Sequence, residues 1–165
     1  MPELYLRTST PESTQALGRA VGEQNIAGDL IVLTGDLGAG KTEFVKGLAV
    51  GLGISENVVS PTFTIVREYV GRLALNHVDA YRLERVQEYL DLGLDELADS
   101  SVTVVEWGEL VRDFLVADRL EAVLVFGAAS DERMITLRSQ GNEWANRLSA
   151  LAPALKAFAA EVANP

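Results

Sequence analysis

Eight consecutive residues, Gly35-Asp36-Leu37-Gly38-Ala39-Gly40-Lys41-Thr42, carry the clearest chemical signal in the chain. Their order, G-D-L-G-A-G-K-T, fits the phosphate-binding pattern G-x-x-x-x-G-K-[ST]. The glycines let the backbone curl until successive N–H groups face one phosphate, and a helix starting at the end of the loop adds its partial positive charge. In such a loop the backbone from Asp36 to Gly40 cradles phosphates, Lys41 reaches the outer ones and the Thr42 hydroxyl ligates Mg²⁺. The plain alternative is a glycine-rich turn ahead of a core helix. The flanking residues argue for the phosphate site, and the expected ligand is a nucleoside triphosphate.

A phosphate loop needs an acidic partner from a neighbouring strand, to hold Mg²⁺ directly or through water. Glu106 ends the β-branched run Ser101-Val102-Thr103-Val104-Val105 and is the candidate, against the alternative of a surface charge at a strand end. Trp107, next in line, reads as packing at the edge of the site. The densest polar cluster is His77-Val78-Asp79-Ala80-Tyr81-Arg82. Strand alternation puts His77, Asp79 and Tyr81 on one face, where they could orient water or contact Mg²⁺. The alternative is a hydrogen-bonded strand end, with His77 a satisfied buried histidine and Asp79 paired with Arg82. Ser60-Pro61-Thr62-Phe63-Thr64 has three hydroxyls in a segment that Pro61 keeps out of helical space. A threonine such as Thr62 is what nucleotide switches use to sense Mg²⁺ and the terminal phosphate, although most loop hydroxyls have no such role.

These groups require elements to hold them. Leu30-Ile31-Val32-Leu33 reads as a buried parallel strand entering the loop, and Val45, Leu48, Ala49 and Leu52 give residues 42–52 a helix face. Thr10 and Pro11 look like an N-cap and first helical position, followed by an apolar face of Ala16, Leu17, Ala20 and Val21. Residues 58–69 read as extended, and Val70-Gly71-Arg72 turns the chain into a strand at 73–78. Helical spacing recurs over 84–97, weakened by Gly93. Short strands are expected at 102–105, 122–126 and 134–137. A final helix runs through Trp144, Leu148, Leu151, Leu155, Phe158 and Val162, kinked or divided at Pro153. Strands alternating with helices around such a loop predict an α/β fold: a three-layer domain with a mixed, mostly parallel sheet flanked by helices and an antiparallel hairpin.

The chain of 165 residues reads as one domain, 48% hydrophobic. Its longest apolar run, Ala122 to Ala129, is far shorter than the roughly 18 residues of a membrane span. The N-terminus lacks the layout of a signal peptide, which makes the cytoplasm the expected location. There is no cysteine, hence no disulfide framework or cysteine-based zinc site. The formal net charge of −10 disfavours direct grip on a polyanion. A protein partner, or a small anion carrying its own Mg²⁺, is the expected company.

The motifs G-D-L-G-A-G-K-T, S-P-T-F-T, H-V-D-A-Y-R-L and V-E-W-G-E, in this order and spacing, resemble the TsaE family of bacterial P-loop ATPases. That family belongs to the machinery making threonylcarbamoyladenosine beside the anticodon of tRNAs that read A-starting codons. The resemblance spans about residues 10–138 and leaves the final helix outside. Two positions depart from the family's habit: Gly108 stands where proline often follows the tryptophan, and Glu43 where a second threonine is common. The resemblance implies ATP and Mg²⁺ as cofactors, with Gly38 to Thr42 around the phosphates and Thr42 and Glu106 on the metal. It puts Thr62 in a switch-like loop, Asp79 near the γ-phosphate, and the adenine pocket near Thr10 and Pro11 with Arg133 contributing. It implies weak hydrolysis alone, activated by a two-subunit threonylcarbamoyl-transferase complex that the ATPase resets between turnovers, with tRNA bound only through those partners.

Three other readings compete. A small-molecule or nucleotide kinase would place arginines in a closing lid, but no lid-length insertion is present and Arg82, Arg85 and Arg133 are dispersed. A GTPase would carry an Asn-Lys-x-Asp guanine-reading motif, which is absent. A non-hydrolysing module would use nucleotide only to shift a docking conformation. The residues leave the group that activates water open among Glu106, Asp79, His77 and a partner subunit.

Overall fold

The β-branched runs on either side of the phosphate-loop motif form the middle of one seven-stranded sheet in a computed structural model that describes residues 2–59, 65–94 and 98–160. The elements in chain order are β1 (Glu3–Thr8), α1 (Pro11–Glu23), β2 (Leu30–Thr34), α2 (Lys41–Gly51), β3 (Val66–Tyr69), β4 (Ala74–Asp79), α3 (Val86–Asp91), β5 (Ser101–Glu106), β6 (Arg119–Phe126), β7 (Arg133–Gln140) and α4 (Asn142–Leu151). The strand order is β1-β7-β6-β2-β5-β4-β3. Strands β6, β2, β5 and β4 are parallel, whereas β3 and β7 run antiparallel to their neighbours. The α/β class, the mostly parallel sheet and the hairpin at β3–β4 match the expectation, and β6–β7 adds a second hairpin.

Alternation along the central strands divides the core between two faces. Ile31, Leu33, Val102 and Val104 pack with Leu17, Val21, Phe44, Leu48, Trp144 and Leu148, from α1, α2 and α4. Leu30, Val32, Val78 and Val105 pack on the other side with Leu94, Val111 and the half-covered Tyr89 and Leu92. Among the described residues that second layer is thin: α3 is six residues long, and 3-10 turns at Gly108–Leu110 and Arg112–Phe114 add to it.

Helix α2 lies unusually close to α1. A Cβ at Gly47 would sit 1.8 Å from the Gln15 carbonyl oxygen, and one at Gly18 would sit 2.2 Å from that of Phe44. Small residues at the crossing let the two backbones meet, so α2 is held with little freedom behind the loop that feeds it. At the other end of β2, Arg147 of α4 binds both carboxylate oxygens of Asp29, at 2.5 and 2.8 Å, and stacks over Trp144.

Several boundaries differ from expectation for local reasons. Strand β1 is an addition to the expected elements; its Leu6 and Thr8 are buried between exposed Tyr5 and Arg7, and it pairs with β7 from the far end of the chain. The helix expected over 84–97 is interrupted after Asp91, where Gly93 takes φ +65°, and Leu94 is helical again, with 95–97 outside the described residues. Leu90 is left exposed, and Leu97 lies outside the described residues. Of the extended stretch expected over 58–69, Val66–Tyr69 is strand, and 60–64 lie outside the described residues. At the C-terminus α4 gives way to a 3-10 helix, Ala152–Phe158, with Pro153 in its first turn, which is the expected division. No helix among the described residues is long and apolar enough to cross a membrane.

Candidate functional site

Parallel β2, β5 and β4 end at one edge of the sheet, where Leu33 is paired with Glu106 and Glu106 with Asp79. Ligands of open α/β sheets bind outside such carboxyl ends. The Gly35–Thr42 loop leaves β2 here. Gly38 and Gly40 adopt φ of +82° and +102°, a region costly to residues with a Cβ, and this conformation delivers the chain into α2. Gly40 caps α2 without a side-chain hydrogen bond, so the first N–H groups of the helix have no side chain of the cap to bind. The expected strand, loop and helix are therefore present in their expected order.

Lys41 is the first helical residue and is only 5% exposed. Its ammonium donates to the carbonyls of Gly35 and, at 3.0 Å, Asp36, and lies 4.0 Å from the centroid of the Trp107 ring. Burial lowers the Lys41 pKa, while the carboxylates of Glu106, Glu109, Asp36 and Asp79 raise it. Trp107 reaches it because its own backbone is left-handed, φ +60° and ψ +37°, turning the chain sharply after β5. The indole also contacts Tyr81, with ring centroids 5.1 Å apart. Trp107 thus does more than pack at the edge.

Glu106 and Asp79 sit side by side on β5 and β4. Glu106 is 4% exposed; its Oε1 accepts from the Thr42 hydroxyl at 3.3 Å, and its Oε2 lies 2.6 Å from His77 Nε2. Asp79 Oδ1 accepts the Tyr81 N–H at 3.1 Å, and Oδ2 lies 3.4 Å from Arg82 Nε. Burial pushes the Asp79 carboxyl above its ordinary pKa; the Tyr81 bond opposes this and neighbouring Glu106 adds to it. His77 is fully buried and does not line the cleft, so it is not positioned to activate water there. Tyr81 leaves the strand in the 3-10 turn Ala80–Arg82 and forms an exposed part of the cleft wall.

The cleft itself has a volume of about 560 Å³ and is lined by Leu37, Gly38, Gly40, Lys41, Thr42, Glu43, Asp79, Tyr81, Arg82, Glu106 and Trp107. An adjoining hollow of about 190 Å³ shares Gly38, Gly40 and Glu43 with it and adds Pro11, Thr14, Asp131 and Arg133. Pro11 and Arg133, remote in sequence, therefore meet beside the loop. Arg133 donates to the Ala39 and Gly38 carbonyls, at 3.1 and 3.2 Å, bracing the loop from outside. Asp36 and Ala39 contribute carbonyls, the Ala39 side chain being buried. Thr62 lies outside the described residues.

Two contributors had no sequence-based role. Glu43 bonds Gln15 of α1 and, at 3.2 Å, Lys46, and it borders both hollows. Glu109 has a buried carboxylate oxygen without a partner among the described residues and lies close enough to Lys41 to raise its pKa. Both were visible as acidic residues beside the motifs, but only the fold turns them inward.

The oxygens on Thr42 and Glu106 are hard donors of the kind Mg²⁺ takes. Their 3.3 Å separation is near the roughly 3 Å between adjacent ligands of an octahedron with bonds of about 2.0–2.1 Å. Among the described residues no three histidine or carboxylate groups gather around a metal-sized space. The protein would thus supply a pair of oxygens and leave the remaining positions to phosphate and water, the usual arrangement for Mg²⁺.

Comparison with known proteins identifies the family and the fold. The family model described as "Threonylcarbamoyl adenosine biosynthesis protein TsaE" matches residues 8–135. The tRNA threonylcarbamoyladenosine biosynthesis protein TsaE of Bacillus subtilis is 46% identical over 146 residues, covering 87% of this chain and 90% of that one. The protein of the same description from Streptomyces coelicolor is 44% identical over 136 residues, covering 78% and 92%. A crystal structure of Bacillus subtilus YdiB superposes with a TM-score of 0.75 at 36% identity, covering 92% of this chain and 95% of that one.

Proposed function

The chain belongs to the TsaE family, and from that premise we propose that it is a Mg²⁺-dependent ATPase serving threonylcarbamoyladenosine formation in tRNA. The observation that carries the reading is the convergence of Lys41, Thr42, Asp79 and Glu106 on one cleft at the carboxyl ends of parallel strands. In this reading the Gly38–Thr42 backbone and the start of α2 hold the phosphates of ATP, and Lys41 neutralises charge on the outer ones. Thr42 and Glu106 hold Mg²⁺, which when bound offsets charge on the phosphate oxygens. Asp79, on the cleft wall with its pKa raised, orients the attacking water and accepts its proton. Pro11 and Arg133 border the hollow that receives the adenine. Thr62 acts as the switch hydroxyl.

The protein works on a threonylcarbamoyl-transferase complex in the cytoplasm, and tRNA reaches it only through those partners. The acidic balance of the chain favours that division of labour. The kinase reading is disfavoured by two contacts: Arg82 is paired with Asp79, and Arg133 is bonded to loop carbonyls, so neither is poised as a lid arginine.

The test is ATP hydrolysis by the purified chain, alone and then with the transferase complex and substrate tRNA. Strong stimulation is the expected result. A flat rate accompanied by phosphate appearing on a small acceptor would replace this reading with the kinase.

A further inference from the structure

The chain has a single histidine, and the fold spends a fully buried position on it. His77 sits on β4 opposite Val104, so its diagonal neighbour on β5 is Glu106. Its Nε2 lies 2.6 Å from Glu106 Oε2, while its Nδ1 is buried with no hydrogen-bond partner among the described residues. Leaving a buried polar atom unpaired costs free energy, and an N–H left unpaired is rarer in proteins than a bare acceptor. The proton therefore belongs on Nε2, donated to Glu106, with Nδ1 the bare lone pair. A histidine buried only to fill the core would gain nothing here over leucine, because its one side-chain hydrogen bond among the described residues is with that carboxylate.

We infer that His77 is a positioning residue for Glu106: by occupying Oε2 it turns Oε1 toward Thr42 and the cleft. The 3.3 Å spacing between Thr42 and Glu106 then depends on a hydrogen bond made behind the carboxylate, outside the cleft. Carboxylates that ligate metals are commonly oriented in this way by a second hydrogen bond. This inference rests on the proposed Mg²⁺ role of Glu106 and adds a residue that does not itself touch metal or nucleotide.

The experiment compares wild type, His77→Leu and His77→Gln, reading binding of Mn²⁺ by electron paramagnetic resonance in the presence of a non-hydrolysable ATP analogue. His77→Leu should weaken the metal affinity about 10- to 100-fold, and His77→Gln, which keeps a donor, should stay within about threefold of wild type. In a Glu106→Gln background, His77→Leu should cause no further loss. Equal metal affinity in His77→Leu and wild type overturns the inference, as does a His77→Gln as weak as His77→Leu, or a loss that persists with Glu106→Gln. If wild type binds the analogue with no dependence on the metal, the Mg²⁺ reading falls and takes this one with it, which separates the two failures. Should His77→Leu not fold, ¹⁵N NMR of the lone imidazole in wild type still decides: the Nε2–H tautomer is expected, and an Nδ1–H tautomer refutes the assignment.

Discussion

The ammonium of Lys41 lies 4.0 Å from the centroid of the Trp107 ring, although the two residues leave different strands of the sheet. Contact requires the left-handed backbone at Trp107, a conformation unusual for a bulky side chain and one that the surrounding packing must enforce. Tyr81 backs the same indole from the Ala80–Arg82 turn. The lysine is thus guided on one side by loop carbonyls and on another by an aromatic face that β5 delivers directly after Glu106.

Removing that face should therefore weaken nucleotide binding without abolishing it. A cation–π contact contributes about 0.5–2 kcal/mol, so Trp107→Ala is expected to lower ATP affinity about 2- to 30-fold by calorimetry. Trp107→Phe keeps a π-face and should recover part of the loss. An unchanged affinity in Trp107→Ala would make the ring mere packing.

Lys41 and Glu106 should separate by the kind of defect. Lys41→Ala removes the cation nearest the loop and is expected to abolish detectable ATP binding. Glu106→Ala leaves loop and lysine in place, and should retain binding while losing Mg²⁺ dependence and turnover. Parallel binding and hydrolysis titrations with and without Mg²⁺ distinguish the two. Equal loss of binding in both variants would remove Glu106 from the metal.

Asp79 couples stability to function. A carboxyl whose pKa is raised by folding binds more protons in the folded state, so its contribution is present at low pH and is lost as pH rises from 3.8 through the raised value. Asp79→Asn removes that loss and keeps an acceptor for the Tyr81 N–H. The forfeited pair with Arg82, whose side chain is 42% exposed, offsets little. Asp79→Asn should therefore melt above wild type near pH 7, the gap closing toward pH 4. Its ATP turnover should fall at least about 100-fold, with binding retained. A variant that restores tRNA modification as well as wild type does would reduce Asp79 to a structural role.

What could be read in advance follows the range of the interactions. The strand, loop and helix around Gly35–Thr42 are local, and glycine, β-branched and helical patterns sit contiguously in the chain. Glu106 and Asp79 were legible because alternation and strand ends fix which way a side chain leaves. Whether His77 faces the cleft or the core was not, since alternation assigns a face without saying what covers it. Arg133 reaches the loop carbonyls through a β6–β7 hairpin whose register no local pattern specifies. Strand β1 carries no local signature, because what holds it is its pairing with β7 at the other end of the chain. Glycines inside α1 and α2 read locally as helix weakeners; only their meeting reveals them as the reason the helices pack so closely.

That meeting leads to a stability prediction independent of chemistry. Alanine at position 47 would gain about 1 kcal/mol in helix propensity over glycine. Its Cβ would, however, fall 1.8 Å from the backbone oxygen of Gln15, and a main-chain atom cannot rotate away. Overpacking of this kind costs about 1–3 kcal/mol and here requires the two helices to part, so the clash outweighs the propensity gain. Gly47→Ala should lower the melting temperature by several degrees, at about 2–4 °C per kcal/mol. Val50→Ala, at an exposed site on the same helix, should change it little. Because α2 carries Lys41 and Thr42 while α1 carries Pro11 and Thr14, parting the helices also widens the hollow beside the loop. ATP affinity should then fall along with stability in Gly47→Ala, and a loss of stability with affinity intact would show that the loop keeps its shape independently of the helix contact.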